Sequence, residues 1–338
     1  MIEVHNTFDP LKEIIIGDID VNAVKLDDER EQKRVEYIFN KTKDELTNFQ
    51  EIISSMGIKV HRPKPIPNKE IKTPYWSMPG TKIPLTPRDL YLILGDTIIE
   101  SAMCEQERFF ETFYFRDIMI EQFKQGAKWM AMPIPRHDYD DYKFVDDNDV
   151  PNQDPIMDAP SCMKYGKDIF VNTKGAGNQL GYSWIEKMFG DTYNLHEIKN
   201  EKIVGHLDSQ LAILRPGLLL TFHERKDLPE FFQEWDIIGI DPTRDRNMST
   251  GQTLVDSRIQ DSDFANTVLA VNCLSIDRNT VVMWEHYKHE TKMLKQLEKK
   301  NIEVIFVPFT YSHFFNQGVT CLTLELKRET LEGLVSYQ

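Results

Sequence analysis

The sequence predicts a fivefold pseudosymmetric α/β propeller, a closed ring of β-β-α-β units forming a single domain over residues 1–338. Three observations lead there. Short apolar runs of strand length alternate with stretches of helical period in the order strand, strand, helix, strand. That order recurs five times along the chain. A further apolar run, CLTLEL from Cys321, is left unaccompanied at the C-terminus and would complete the first unit by covering its open edge. The same pattern is compatible with an α/β sandwich of irregular strand order, which is the competing architecture.

The first unit opens with the strand EIIIGD from Glu13. An amphipathic helix follows, with Val35, Ile38, Phe39, Leu46, Phe49, Ile52 and Ile53 near helical spacing. Gly57 closes it, and IKVHRP reads as a strand stopped by Pro63. The second unit has LYLILGDTIIES from Leu90, with Gly95-Asp96 as a hairpin turn, then a helix carrying Phe109, Phe113 and Ile120, then a strand from Trp129 to Met132. The third runs from KDIFVN at Lys167 through a helix around Trp184 and Met188 to Tyr193–Ile198. The fourth runs from QLAILRPGLLLTF at Gln210 through a helix between Leu228 and Trp235 to DIIGID. The fifth comprises VLAVNCLSID, VVMW, a helix with Met293, Leu294 and Leu297, and EVIFVPF.

Bulk properties narrow the function. Forty basic against fifty-four acidic residues leave a formal charge of −14, with no basic stripe for a phosphate backbone, so nucleic acid is excluded as a partner. No membrane span is legible and MIEVHNTFDPLKE lacks the order of a signal peptide, so the expectation is a cytoplasmic protein. Cys104, Cys162, Cys273 and Cys321 show no CxxC spacing; each is a core residue or a candidate nucleophile. His286 and His289 have helical i, i+3 spacing but no further ligands, so no metal site is expected. The acidic run from His137 to Asp149 lacks the glycine and spaced glutamate of a calcium loop and reads as an exposed loop. Gly175, Gly177 and Gly181 miss the GxGxxG spacing, so no nucleotide is implied. RFFETFYFRDIM reads as a buried helix.

Polar residues at the head of each unit carry the chemistry. Asp89 precedes LYLIL, Asp158 stands shortly before KDIFVN, His206 and Asp208 precede QLAIL, Asn266 precedes VLAVN, and Cys321 opens CLTLEL. In a ring these share one phase of the repeat and converge on one end of its axis. A thiol, an imidazole and carboxylates together suit attack on a cationic planar carbon, which carboxylates hold through paired charge-assisted hydrogen bonds while a thiolate approaches its face. Taken singly, each has a plainer reading. A cysteine heading an apolar strand is usually a small core residue, and a lone histidine is usually structural. Aspartates before a strand often serve turns or caps, and His206 with Asp208 could form a surface ion pair. Convergence is what favours a site.

These residues sit in segments that resemble the amidinotransferase family, meaning glycine amidinotransferase and relatives acting on inosamine phosphates and other amines. The similar segments are FDPLKEIIIGD, HRPKPI, PRDLYLILGDTIIESAM, QGAKW, MDAPSCMKYGKDIF, GHLDSQLAILRPGLLL and GVTCLTLELKR, spanning nearly the whole chain. The resemblance implies a pentein-like propeller without cofactor, acting on small molecules, commonly as a homodimer. It implies transfer of an amidino group from L-arginine to an amine by a ping-pong route, releasing ornithine. By the same resemblance Cys321 carries the amidino group, His206 is the acid/base and Asp158 completes the triad. Asp89 and Asp208 would hold the donor guanidinium, and Arg225 in HERKD its carboxylate. Three departures stand out. Ala265 and Asn266 occupy the place of a serine pair, Gly205 that of a methionine, and the segment from Pro133 to Asp158 is shorter. Glycine, lysine, a polyamine or an amino sugar phosphate all fit as acceptor. The alternatives are an arginine or guanidine hydrolase or deiminase of the same fold, and a silent binding protein.

Overall fold

The computed structural model describes residues 1–20, 26–66, 70–78, 83–136, 150, 152–241, 270–311, 315 and 317–331. Ala265, Asn266 and the acidic run from His137 to Asp149 lie outside the described residues. Strand β1 (Leu11–Ile16) leads to helix α1 (Glu29–Ser55) and β2 (Lys59–His61), then to the small hairpin β3 (Ile71–Lys72) and β4 (Ser77–Met78). The short helix α2 (Pro87–Leu90) introduces β5 (Tyr91–Leu94), β6 (Thr97–Glu100), α3 (Arg116–Lys124) and β7 (Lys128–Ala131). Next come β8 (Cys162–Tyr165), β9 (Asp168–Asn172), α4 (Gln179–Phe189) and β10 (Asn194–Ile198). They are followed by β11 (Leu211–Arg215), β12 (Leu218–Thr221) and β13 (Asp236–Gly239). Last are β14 (Leu274–Asp277), β15 (Thr280–Trp284), α5 (Thr291–Lys299), β16 (Glu303–Val307) and β17 (Thr323–Arg328).

Five three-stranded sheets share one pairing scheme, an antiparallel pair followed by a parallel strand. The first sheet obeys it only because the C-terminal β17 supplies its first strand, antiparallel to β1, which in turn runs parallel to β2. One cavity of about 50 Å3 is lined by Tyr91–Ile93 of β5, Cys162–Lys164 of β8, Leu211–Ile213 of β11, Leu274 and Ser275 of β14 and Glu325 of β17. First strands of all five sheets therefore surround a common axis, as in a pentein-type propeller. No helix among the described residues is long and apolar enough to cross a membrane.

Local chemistry explains most elements. The Asp28 carboxylate caps α1 by accepting from the N–H groups of Arg30 and Glu31 at 2.8 and 2.9 Å, and Gly57, at φ 79°, turns the chain out of the helix. The buried stripe of α1 includes Val35, Ile38, Phe39, Leu46, Phe49 and Ile53. Phe49 reaches Trp284 of β15 edge-on, with ring centroids 5.9 Å apart, so the helix of the first unit also seals the fifth.

Four expectations need correction. KDIFVN is the second strand of its unit; the first is β8, whose central Lys164 breaks the apolar pattern. The fifth unit begins at Leu274, because Ala270 and Val271 form a 3-10 turn instead of strand. Residues Gln106–Phe115 form a 3-10 helix, and its i, i+3 pair Arg108–Glu111 suits that three-residue period. Phe113 is exposed there, as is Ile120 in the following α3, so the segment is buried on one side only. Between Leu228 and Trp235 only the turn Glu230–Phe232 forms, since Pro229 lacks an N–H and the stretch is too short to propagate a helix.

Charge is buried at the centre. Glu325 of β17 meets Arg88 of α2 at 2.5 Å and Arg328 at 3.3 Å. Burial alone would raise the Glu325 pKa, but Arg88, Arg328 and Lys164 outweigh it and bring it down to about 2. A carboxylate with a depressed folded-state pKa stabilises fully above its unfolded value of 4.5, and that contribution is lost as pH falls toward 2. Glu325→Gln is expected to cost about 3–5 kcal/mol in urea denaturation at neutral pH, because it strands buried guanidinium charge. The variant should also lose less stability than the parent on acidification through that window. A cost below about 1 kcal/mol would show that this ion pair does not hold the centre together.

Candidate active site

At the head of four sheets a short turn precedes the first strand and presents a polar side chain. Asp89 lies in α2 before β5, Asp158 precedes the 3-10 turn Ala159–Ser161 before β8, and His206 precedes the turn Leu207–Ser209, containing Asp208, before β11. Cys321 stands two residues before β17. The turn at Asp158 packs against both α2 and the turn at Asp208, so these heads adjoin in space.

His206 Nε2 lies 3.0 Å from Asp158 Oδ2, and its Nδ1 lies 3.7 Å from Asp89 Oδ1. Nε2 is thus committed to Asp158, and Nδ1 faces the Asp89 side. Burial opposes charge on the imidazole, yet Asp89, the Asp158 hydrogen bond and Asp208 together push its pKa up to about 9. Asp208 is driven up to about 6, by burial first and then by the repulsion of Asp89, against the pull of His206 and Arg88. Cys321 is 6% exposed, and burial followed by Asp208 and Asp89 pushes its thiol well above the ordinary cysteine range. The Gly318 main chain and Arg88 favour the thiolate. Asp89 and Asp208 therefore act on both the thiol and the imidazole.

Three carboxylate oxygens in this cluster, Asp89 Oδ1 and both of Asp208, are buried without a hydrogen-bond partner among the described residues. The other Asp89 oxygen accepts from Arg108 Nη1 at 2.6 Å, and Arg108 also pairs with Glu111 and donates to Thr86. The unpaired oxygens are costly in isolation and suit a ligand bearing several N–H donors.

The fifth head is Asn272, which the sequence reading missed by placing the strand start too early. Its side-chain oxygen accepts from the Cys321 N–H at 3.0 Å, and its amide donates to the Asp208 main-chain carbonyl at 3.2 Å. Gly318 makes this possible, since a Cβ there would lie 2.3 Å from Asn272 Oδ1. Arg108 was missed as well. The signal for Asn272 was present, because it holds the same position before β14 that Asp89 holds before β5. Arg225 is not brought into the cluster: it is exposed, and its guanidinium donates to the carbonyls of Gln233 and Trp235, the latter at 2.9 Å. His286 lies in the turn Glu285–His289, and no group of three or more potential metal ligands occurs among the described residues.

No family model matches the chain. Along 98% of both chains it is 29% identical to inosamine-phosphate amidinotransferase 1 of Streptomyces griseus. It is also 29% identical to an L-arginine:L-lysine amidinotransferase of Pseudomonas savastanoi pv. phaseolicola, over 84% of this chain and 78% of that one. Among solved structures it is similar to SxtG, an amidinotransferase of the saxitoxin biosynthetic pathway from Microseira wollei. That match has a TM-score of 0.82 and 27% identity, and covers 98% of this chain and 99% of SxtG. Relatives so named indicate that the chain is a transferase enzyme.

The electrostatics can be checked directly. In the ligand-free protein the His206 imidazole is expected to titrate near pH 9 by NMR. Its folded pKa exceeds the ordinary 6.5, so its stabilising contribution is complete below that value and is lost as pH rises through about 9. Asp158→Asn should bring the titration back toward the ordinary value. A parent value near 6.5 would show that the carboxylates do not act on the ring.

Proposed function

We infer that the chain moves the amidino group of L-arginine to an amine through a covalent amidino-cysteine at Cys321, releasing ornithine. The observation that carries this reading is the set of buried oxygens of Asp89 and Asp208 that accept no hydrogen bond among the described residues, beside one thiol and one imidazole. A guanidinium is planar and cationic and offers five N–H donors in a fixed fork, so it satisfies these acceptors together. The names of the relatives agree with such a donor.

The same carboxylates set the order of events. In the free protein burial, and then these carboxylates, keep Cys321 protonated. A bound guanidinium replaces their repulsion with a nearby positive charge, which favours loss of the thiol proton to water and generates the nucleophile where its target lies. The thiolate attacks the guanidinium carbon, forming C–S, and His206 as imidazolium gives its proton to the departing amine nitrogen as C–N breaks. Ornithine leaves, and His206 is left neutral. An acceptor amine attacks the adduct, passes a proton to His206 and expels the Cys321 thiolate. Asp158, bonded to Nε2, orients the ring so that Nδ1 serves both transfers. For Arg225 to take the donor carboxylate it would have to exchange its main-chain acceptors for the ligand.

With arginine and no acceptor, intact-protein mass spectrometry after acid quench is expected to show one added amidino group, mapped to Cys321 and discharged by a competent amine. Cys321→Ala should give neither adduct nor turnover. An adduct on another cysteine would overturn the assignment, and citrulline or ammonia release without an acceptor would make the protein a hydrolase.

Donor binding supplies a second check. Asp208→Asn is expected to lower kcat/KM for arginine by the equivalent of about 2–5 kcal/mol while leaving the urea midpoint unchanged or raised. The stability sign follows because a carboxylate raised to about 6 destabilises the fold as it ionises above its ordinary 3.8. Unaltered arginine kinetics would show that Asp208 does not hold the donor.

A further inference from the structure

Asp158 is gripped by more donors than a partner to one imidazole requires. The Cys104 main-chain N–H donates to Asp158 Oδ1 at 2.8 Å, and the Cys104 S–H donates to Oδ2 at 3.2 Å. That second oxygen is the one that His206 Nε2 meets at 3.0 Å. Cys104 follows the second strand of one sheet and Asp158 heads the next, and the backbone sets their register. Ala102 bridges Met157 antiparallel, with the Met157 N–H donating to the Ala102 carbonyl at 2.9 Å, which brings the residues just after Ala102 alongside Asp158.

We propose that Cys104 is a positioning residue for the acid–base pair, its thiol competing with the imidazole for Asp158 Oδ2 and so both aiming the carboxylate and moderating its hold on His206. This rests on the reading of His206 as the proton carrier of amidino transfer. Cys104 acts as a donor because burial, and then Asp158, push its thiol well above the ordinary range, which also removes it as a rival nucleophile. An oxygen shared between two donors accepts less strongly from each. The charged groups facing the pair are Asp89, Asp158 and Asp208 around His206, with Arg108 acting on Asp158 and Glu105 beside the thiol. Three carboxylates all hold the imidazole in its charged form. The second half-reaction, however, needs it neutral to accept a proton from the amine. A thiol that draws on Asp158 lowers that bias without adding charge.

The test exploits the fact that any residue but proline at 104 keeps the main-chain bond, so only the thiol is varied. In Cys104→Ala the NMR titration of His206 is expected to move upward by about 0.5–1 pH unit, the span of one net hydrogen bond. The pH profile for amine-dependent discharge of the Cys321 adduct should move with it. Cys104→Ser, which retains a donor, should titrate at or below the parent value. If the alanine variant does not fold, Cys104→Val takes its place. A titration unmoved within about 0.2 unit in the apolar variant, or a serine variant that behaves like the apolar one, overturns the proposal. Should the parent form no adduct with arginine while the NMR shifts appear as described, the transfer reading fails and the positioning role stands.

Discussion

The pairing of β17 with β1 is the contact on which the rest of the molecule depends. It joins strands from opposite ends of the chain, from Leu11↔Arg328 to Ile16↔Thr323, and the Gly17 N–H extends it to the Leu322 carbonyl at 2.8 Å. Without it the first sheet would lack its first strand and the ring would carry an open edge. The same strand places two groups of consequence. Glu325 turns to the centre and meets Arg88, the residue before Asp89, while Cys321 stands at the head of the strand. Ring closure and the relation between Cys321 and Asp89 are thus one structural event.

Within the site, the rule that buried polar groups are satisfied is broken at two carboxylates, Asp89 and Asp208. Arg88 and Arg328 surround Glu325 and hold it ionised, as a structural ion cluster should. Asp89 and Asp208 have oxygens that accept no hydrogen bond among the described residues, and Asp208 is raised to about 6. The fold tolerates this cost where a cation would relieve it, which is the usual signature of a functional site among otherwise consistent local choices. Arg108 limits the frustration by occupying one Asp89 oxygen, so that the other faces His206. Asn272 adds neutral bonds to the main chain of both Cys321 and Asp208, tying the thiol segment to the turn that carries the carboxylate.

The sequence alone determined the features whose causes are local. The strand-strand-helix-strand order, the apolar stripe of α1, the Gly95-Asp96 hairpin and the leftover C-terminal strand all follow from periodicity and turn chemistry within a few residues. The phase rule placed Asp89, Asp158, His206, Asp208 and Cys321 at the heads of their units for the same reason. It slipped where the local signal misleads. VLAVN looks like a strand but precedes β14, so the fifth head fell on Asn266 and not on Asn272, and Lys164 hid β8 because its charge is supported by the Glu325 carboxylate of another sheet. Only the tertiary structure decided which imidazole nitrogen Asp158 holds, which carboxylate oxygens stay unpaired, and that Cys104 and Arg108 reach Asp158 and Asp89. These depend on contacts between sheets, 54 residues apart for Cys104 and Asp158 and 48 for His206 and Asp158, set by how the sheets pack around the axis. Packing of that kind leaves no periodic trace in the chain, because it is fixed by backbone registers between units and not by the succession of residues within one.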